Sequence, residues 1–390
     1  MRVSTQQLHQ RAIAVILDQQ AGLSKTQQQV ATGERILNPA DDPAGAARIL
    51  QLEREIAVTR QHQANAEAAY HRQAVEEQVL ASVGDLLQRV GELAVQGNND
   101  SYSPEDRRAI AQELGQRLDE LLGLANTRDA NGEYLFSGFQ GNTRPFGHDG
   151  NGQYRYSGDQ GQRFLRVGPN TQVAVGDSGA EIFQFIRAGN GVFTTQALPT
   201  NSGTGVISTG TEVGAFIADS YALVFFQAQP QDPLTYEVRD SANDLVASGD
   251  YVEGGTIAFN GAEISVSGSP AQGDGFTIDP SAHQDMFTTL HQLMRAFEEG
   301  GDDPVSRAQL HNQVNRSLSE LDNASQNLLE VRARVGSRLN TVESQRDANE
   351  AFLLTARTTL SQVRDLDYAE AVSRLNLQLT GLQAAQQSYA

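Results

Sequence analysis

Seven histidines, His9, His62, His71, His148, His283, His291 and His311, are the side chains of this sequence best suited to proton transfer or metal ligation. Their scatter argues against both. No His-Glu-x-x-His run occurs and no acid stands at metal-ligand spacing, so they read as surface or helix-face residues. Asp129-Ala130-Asn131-Gly132 begins like a calcium loop, but the later oxygen ligands and the closing glutamate are missing, which leaves a turn. Glu298-Glu299, Asp302-Asp303 and Asp365 with Asp367 have the carboxylates of a general acid–base pair, yet they sit at helix ends, where solvated charge is the default. Gly203-Thr204-Gly205 lacks the further glycine and the flanking strand and helix that cradle a phosphate. Without cysteine there is no thiolate nucleophile, no cysteine zinc site and no disulfide framework. These absences predict a protein that is not an enzyme and needs no metal and no cofactor.

What the chain carries instead is apolar periodicity at its two ends. Leu8, Ala12, Ile16, Leu23 and Val30 form one narrow stripe, the last three at intervals of seven, with glutamines on most other faces. Near the C-terminus Tyr368, Val372, Leu375, Leu379, Leu382 and Tyr389 follow a 4-3 rule, broken once by Gln386. Such seams suit a coiled coil completed by neighbouring subunits. The stretch GERILNPADDPAGAARI, from Gly33 to Ile49, ends the first helix: Gly33 stops it, and Pro39 and Pro43 forbid an uninterrupted one. Asp41 and Asp42 are placed to accept from the free N–H groups of the next helix.

That next helix carries Ile49, Leu52 and Ile56 and runs on through Val79, Val83, Leu86, Val90 and Leu93 to Gly97. Ser103-Pro104-Glu105-Asp106 is a helix start, followed by Ile110, Leu114, Leu118 and Leu121. GEYLFSGF, after the Asn131-Gly132 turn, predicts a strand. From Ser137 to Ala282 the chain holds 23 of its 36 glycines and 7 of its 11 prolines, which disfavours long helices. Short β runs are expected at Tyr154–Tyr156, Arg163–Val167 and Thr235–Arg239. A hairpin is expected from Thr256–Phe259 and Ala262–Val266 across Asn260-Gly261, and a loop from Ala197 to Gly214. Helical spacing returns at Phe287, Leu290, Met294 and Phe297, breaks at Gly300-Gly301, and resumes from about Val305, with Leu321, Leu328, Val335 and Val342 at intervals of seven. The fold class is mainly α with a β-rich insertion: an elongated helical frame built from both termini, carrying one or two small β domains. The parts are 1–43 with 351–390 as a terminal coiled-coil assembly domain, 44–136 with 283–350 as a helical rod, and 137–282 as the outer β-rich region.

The 390 residues carry a formal net charge of -19, which argues against nucleic acid or an anionic membrane as partner. No stretch is long enough to insert in a bilayer, and no secretory cleavage pattern follows the short run Ala12 to Leu17, so composition alone implies a soluble cytoplasmic protein.

GERILNPADDPAGAARI resembles the N-terminal signature of the flagellin family, and VRDLDYAEAVSRLNLQ resembles its C-terminal one. GEYLFSGFQGNTRPF and GDGFTIDPSAHQDMFTTLHQLMRAF are similar to phrases of the branch that joins hook to filament; the phrase close to FQIGAN, usual in flagellin itself, is absent. The resemblance marks Gly33, Arg35, Asn38, Asp41, Asp42 and Gly45 as the family turn motif. It implies a secreted structural subunit of the bacterial flagellum, exported unfolded by the flagellar type III apparatus, and so replaces the cytoplasmic reading. The implied partners are further copies of itself in a ring, the adjacent hook-associated protein, flagellin, and an export chaperone on the C-terminal helix. Met1 to Gln10, with little apolar content, is expected to be disordered before assembly. Two alternatives stay open: a flagellin filament subunit, and a surface adhesin or glycan-binding module carried on a flagellin-like frame.

Overall fold

The structure is a computed structural model that describes residues 5–148, 152–229 and 231–389. Its helices are α1 (Thr5–Thr32), α2 (Pro43–Gly97), α3 (Pro104–Ala125), α4 (Gly179–Phe183), α5 (Met286–Glu299), α6 (Pro304–Arg364) and α7 (Tyr368–Tyr389). From α2 onward the starts follow one chemistry: an oxygen-bearing side chain caps the first free N–H groups, often with proline next. Ser103 and Asp106 form a reciprocal capping box on α3. Asp303 accepts from the Val305 and Ser306 N–H groups on α6, and Asp285 from the Thr288 N–H on α5. The chain divides into two compact units, one of residues 1–67, 166–172 and 343–390, the other of residues 68–165 and 173–342.

In the second unit the predicted rows are buried. Val83, Leu86, Val90 and Leu93 of α2, Ile110, Leu114, Leu118 and Leu121 of α3, and Leu321, Leu328 and Val335 of α6 belong to one apolar cluster. Phe146, Phe183 and Phe287 close it with mutual ring contacts at 5.1 to 5.9 Å. The rest of this unit is β-rich. A five-stranded antiparallel sheet has the order Leu245–Asp250, Thr235–Arg239, Tyr221–Phe226, Gly275–Pro280, Phe193–Ala197. The middle strand alternates, with Tyr221, Leu223 and Phe225 inward, as period-two pairing requires. These side chains share a second cluster with Ile257, Phe259 and Ile264 of the expected hairpin, whose turn residues Asn260 and Gly261 both have positive φ.

Three local expectations need correction. GEYLFSGF makes no strand: Tyr134 forms a single bridge with Arg128, and Tyr134, Leu135, Phe136 and Ser137 are all buried in succession, a plug rather than an alternating ribbon. Gly132 and Gly138, at φ +82° and +69°, turn the chain on either side of it. The stretch Ala197 to Gly214 is not all loop, because Val206–Ile207 and Thr211–Glu212 pair along Ala262–Ser267; two-residue strands leave no periodicity to read. His62 is buried rather than superficial, at 8% exposure.

Candidate assembly site

Four helix ends meet at the turn motif in the first unit: the end of α1, the start of α2, the end of α6 and the start of α7. Gly33 ends α1 with φ +77°, its N–H donating to the Gln29 carbonyl at 2.8 Å. The next residues then pair with the far end of the chain. Glu34 and Asp365 form an antiparallel bridge; Arg35 N–H donates to the Arg364 carbonyl at 2.7 Å, and Leu366 N–H to the Gly33 carbonyl at 2.8 Å. The Arg35 guanidinium donates through Nη2 and Nε to the Val363 carbonyl, at 2.8 and 3.2 Å, which satisfies an orphan acceptor at the end of α6. Gln29, buried, donates back to the Arg35 carbonyl.

The two aspartates of the motif divide the work, which corrects the reading that both cap the following helix. Asp42 does so, accepting from the Gly45 N–H at 2.9 Å, with Pro43 at the first helical position. Asp41 instead closes the turn before it: it accepts from Asn38 N–H at 3.2 Å and from Lys25 Nζ of α1 at 2.6 Å. The Lys25 hydrogen bond and the Asn38 N–H hold its carboxyl below the usual range. Gly45 is small for a packing reason, since a methyl there would come within 2.5 Å of Asp42 Oδ2 and Ile36 Cδ1. On the other side, Asp367 caps α7 through the Ala369 and Glu370 N–H groups, and Tyr368 lies over Gly33.

From this clamp α1 and α7 run side by side. Their shared face is tighter and more polar than the predicted seams. Leu23, Thr26 and Gln29 of α1 and Ala371 of α7 are buried in it. Gly22 faces Gln378, and Gly381 faces Gln19. Of the predicted seam residues, Leu23 is buried and Ile16, Val30, Leu375 and Leu382 are half-buried. Tyr368, Val372 and Leu379 are 54%, 44% and 37% exposed. The side chains of Leu8, Ala12 and Tyr389 lie outside the described residues, as does the start of the Met1 to Gln10 stretch. The α7 stripe is thus wider than one contact: its inner edge meets α1 and its outer edge faces solvent with Leu377, as Ile13, Val15 and Leu17 do on α1.

Periodicity missed a second group, a polar row along α6. Asn312 donates to the Gly205 carbonyl at 3.0 Å and accepts from Ile207 N–H at 2.9 Å. Ser319 and Asn323 donate to the Gly189 carbonyl, and Asn327 to those of Glu181 and Ile182. Spaced by seven and four residues, they lie on one face; their sequence signal is asparagine recurring inside a long helix, where its propensity is poor. Among the described residues no cluster of three or more histidine or acidic side chains could hold a metal. His311 bridges Asn98 and Asp100 at 2.7 and 3.1 Å, a structural contact joining α6 to the turn after α2.

The helical core with its β insertion, closed by a clamp between both chain ends, defines a flagellin-type subunit. Residues 3–141 match the family model described as the bacterial flagellin N-terminal helical region. The FlgL structure from Xanthomonas campestris is 36% identical, with a TM-score of 0.75 over 80% of this chain and 99% of that one. The flagellar hook-associated protein 3 structure from Legionella pneumophila is 33% identical, with a TM-score of 0.76 over 81% and 98%. Flagellar hook-associated protein 3 of Escherichia coli K12 is 32% identical over 188 residues, 48% of this chain; the match spans 58% of that relative's length. The chain belongs to the hook-associated protein 3 branch of the flagellin family.

Proposed function

We propose that this chain is a structural subunit of the bacterial flagellum, an adapter between hook and filament that assembles through its terminal helices and performs no catalysis. The observation that carries the reading is where apolar surface is left open. More than half of the large apolar side chains exposed among the described residues belong to the unit built from the chain ends, which holds less than a third of the sequence. Leu50, Val58 and Leu354 join Ile13, Leu17, Val372 and Leu377 there. Apolar surface concentrated in this way marks a protein interface. Its partners are other copies of the chain in a ring, the adjacent hook-associated protein and flagellin, with an export chaperone covering the outer face of α7 before assembly. The subunit is secreted through the flagellar export apparatus, and 1–43 with 351–390, 44–136 with 283–350, and 137–282 act as inner, middle and outer parts.

The test uses the outward row. Leu375 and Leu382 are half-buried, so charging them also disturbs packing within the subunit. Leu377→Asp with Leu379→Asp leaves them in place. The double variant should melt with the parent while failing to enter hook–filament structures; normal incorporation would reject α7 as an assembly surface. Counting copies per flagellum by quantitative mass spectrometry separates a scarce adapter from an abundant filament subunit.

A further inference from the structure

The most enclosed acidic residue described in the second unit lies far along α2 from the turn motif and has no part in the assembly reading. Glu76 is 1% exposed. Its Oε1 accepts the Asp177 N–H at 3.1 Å, while its Oε2 is buried with no hydrogen-bond partner. One turn earlier Gln73, fully buried, donates to the Ala174 carbonyl. From the other side Arg338 of α6 takes the buried Asp177 carboxylate through two bonds, at 2.8 and 3.0 Å. Gln162 donates to Asp177 Oδ1 at 2.8 Å and to the Gly176 carbonyl at 3.2 Å. The stretch Ala174–Asp177 is thereby gripped from α2, from α6 and by Gln162.

The charges around Glu76 close into pairs without it. Asp177 has Arg338, Asp129 has Arg72, and Glu133 has Arg163 at 2.6 Å, with Arg72 also 3.7 Å from Glu133. Arg334, one turn from Arg338 on α6, is taken by Glu181. The histidine nearest in sequence, His71, is exposed and makes its ring contact with Tyr70. A negative Glu76 would therefore be a buried charge with no cation of its own, beside another carboxylate. A neutral Glu76 costs nothing of that kind, and its unpartnered oxygen can carry the proton. Burial first, and Asp177 second, push its carboxyl up to about 8.

We propose that Glu76 is the proton-holding member of a latch on the Ala174–Asp177 stretch, and that this latch loosens as the medium turns from acid to mildly alkaline. The sign follows from linkage. The closed form keeps the proton up to about pH 8, whereas an opened, hydrated carboxyl gives it up near its ordinary value of 4.5. Between these values opening releases a proton, so the opening constant rises tenfold per pH unit; above about 8 both forms are ionised and it levels off.

Hydrogen exchange of the full chain, followed in peptides covering Ala174–Asp177 and corrected for the intrinsic rate at each pH, reads that constant directly. The parent should show the tenfold-per-unit rise between about pH 5 and 8 and a plateau above. Glu76→Gln, neutral and of the same shape, should be flat across the range and as protected as the parent at pH 5. A flat parent profile, or an unchanged slope in Glu76→Gln, overturns the proposal. Carbon NMR of labelled glutamate side chains in the unmutated chain gives a readout that does not depend on the variant folding: a Glu76 carboxyl titrating near 4.5 also overturns it.

Discussion

At Gly33 the backbone does what a side chain would resist. Its φ of +77° lies in the left-handed region, and its carbonyl receives the Leu366 N–H from across the chain. An alanine there costs about 1–2 kcal/mol in backbone strain and presses on the Tyr368 hydroxyl besides. Gly33→Ala should accordingly lower protection of the Leu366 amide by roughly 5- to 30-fold, read by hydrogen exchange, while residues of the β-rich sheet keep theirs. Asp41 gives a pH expectation of the opposite sign to Glu76. Its carboxyl is held low, so its support for the turn is present above the ordinary value of 3.8 and is lost as pH falls through the lowered one. Protection of the Asn38 amide, corrected for the intrinsic exchange rate at each pH, should stay constant from neutral pH down to about 4 and fall only below. The glycine and the prolines of this turn were legible because each restricts φ or the helix ladder by itself. Lys25 as the partner of Asp41, and Val363 as the acceptor for Arg35, were not, because a lysine and an arginine in sequence carry no address for a partner sixteen or 328 positions away.

At the scale of elements, hydrophobic spacing located α2, α3, α5 and α6 to within a residue or two at most ends, since a buried stripe and a capping residue both leave marks in the chain. It did not reveal which edge of the α7 stripe turns inward: Ala371 is buried and Gln378 faces Gly22 of α1, while Val372 and Leu379 stay open. The polar face of α6 left only recurring asparagines as a mark, with nothing in the chain to name the carbonyls they reach. Asn323 reaches the carbonyls of Arg187 and Gly189 with one amide, at 2.8 and 2.7 Å, and both acceptors lie just before the Phe193–Ala197 strand of the five-stranded sheet. Asn323→Ala should destabilise that attachment by about 1–3 kcal/mol, visible as a lower denaturation midpoint. Asn323→Asp, which keeps the shape but loses the donors, should be at least as damaging.

Taken whole, the chain distributes its apolar burial unevenly. The second unit holds two large clusters, whereas the unit made from the ends relies on a small one around Leu52, Ile56, Leu353 and Leu360 together with the clamp. In the free subunit, amides of α1 and α7 should exchange long before those of α2 around Leu80 and Val90, and cooperative loss of all of them together would refute the division. The clamp has one more consequence, which concerns tolerance of length. To the Glu34–Asp365 bridge everything between is a single closed loop, and closure entropy grows only with the logarithm of loop size, about 0.6 kcal/mol for each doubling. The ends are therefore nearly indifferent to how much chain is carried between them. A small folded insert at the Asn243 turn, where φ is +67° and Asp240 N–H meets the Asp244 carbonyl, should leave Leu366 amide protection unchanged. Seen this way the molecule is a fixed fastening with a freely sized middle, and its β-rich region can lengthen or be exchanged while the fastening stays the same.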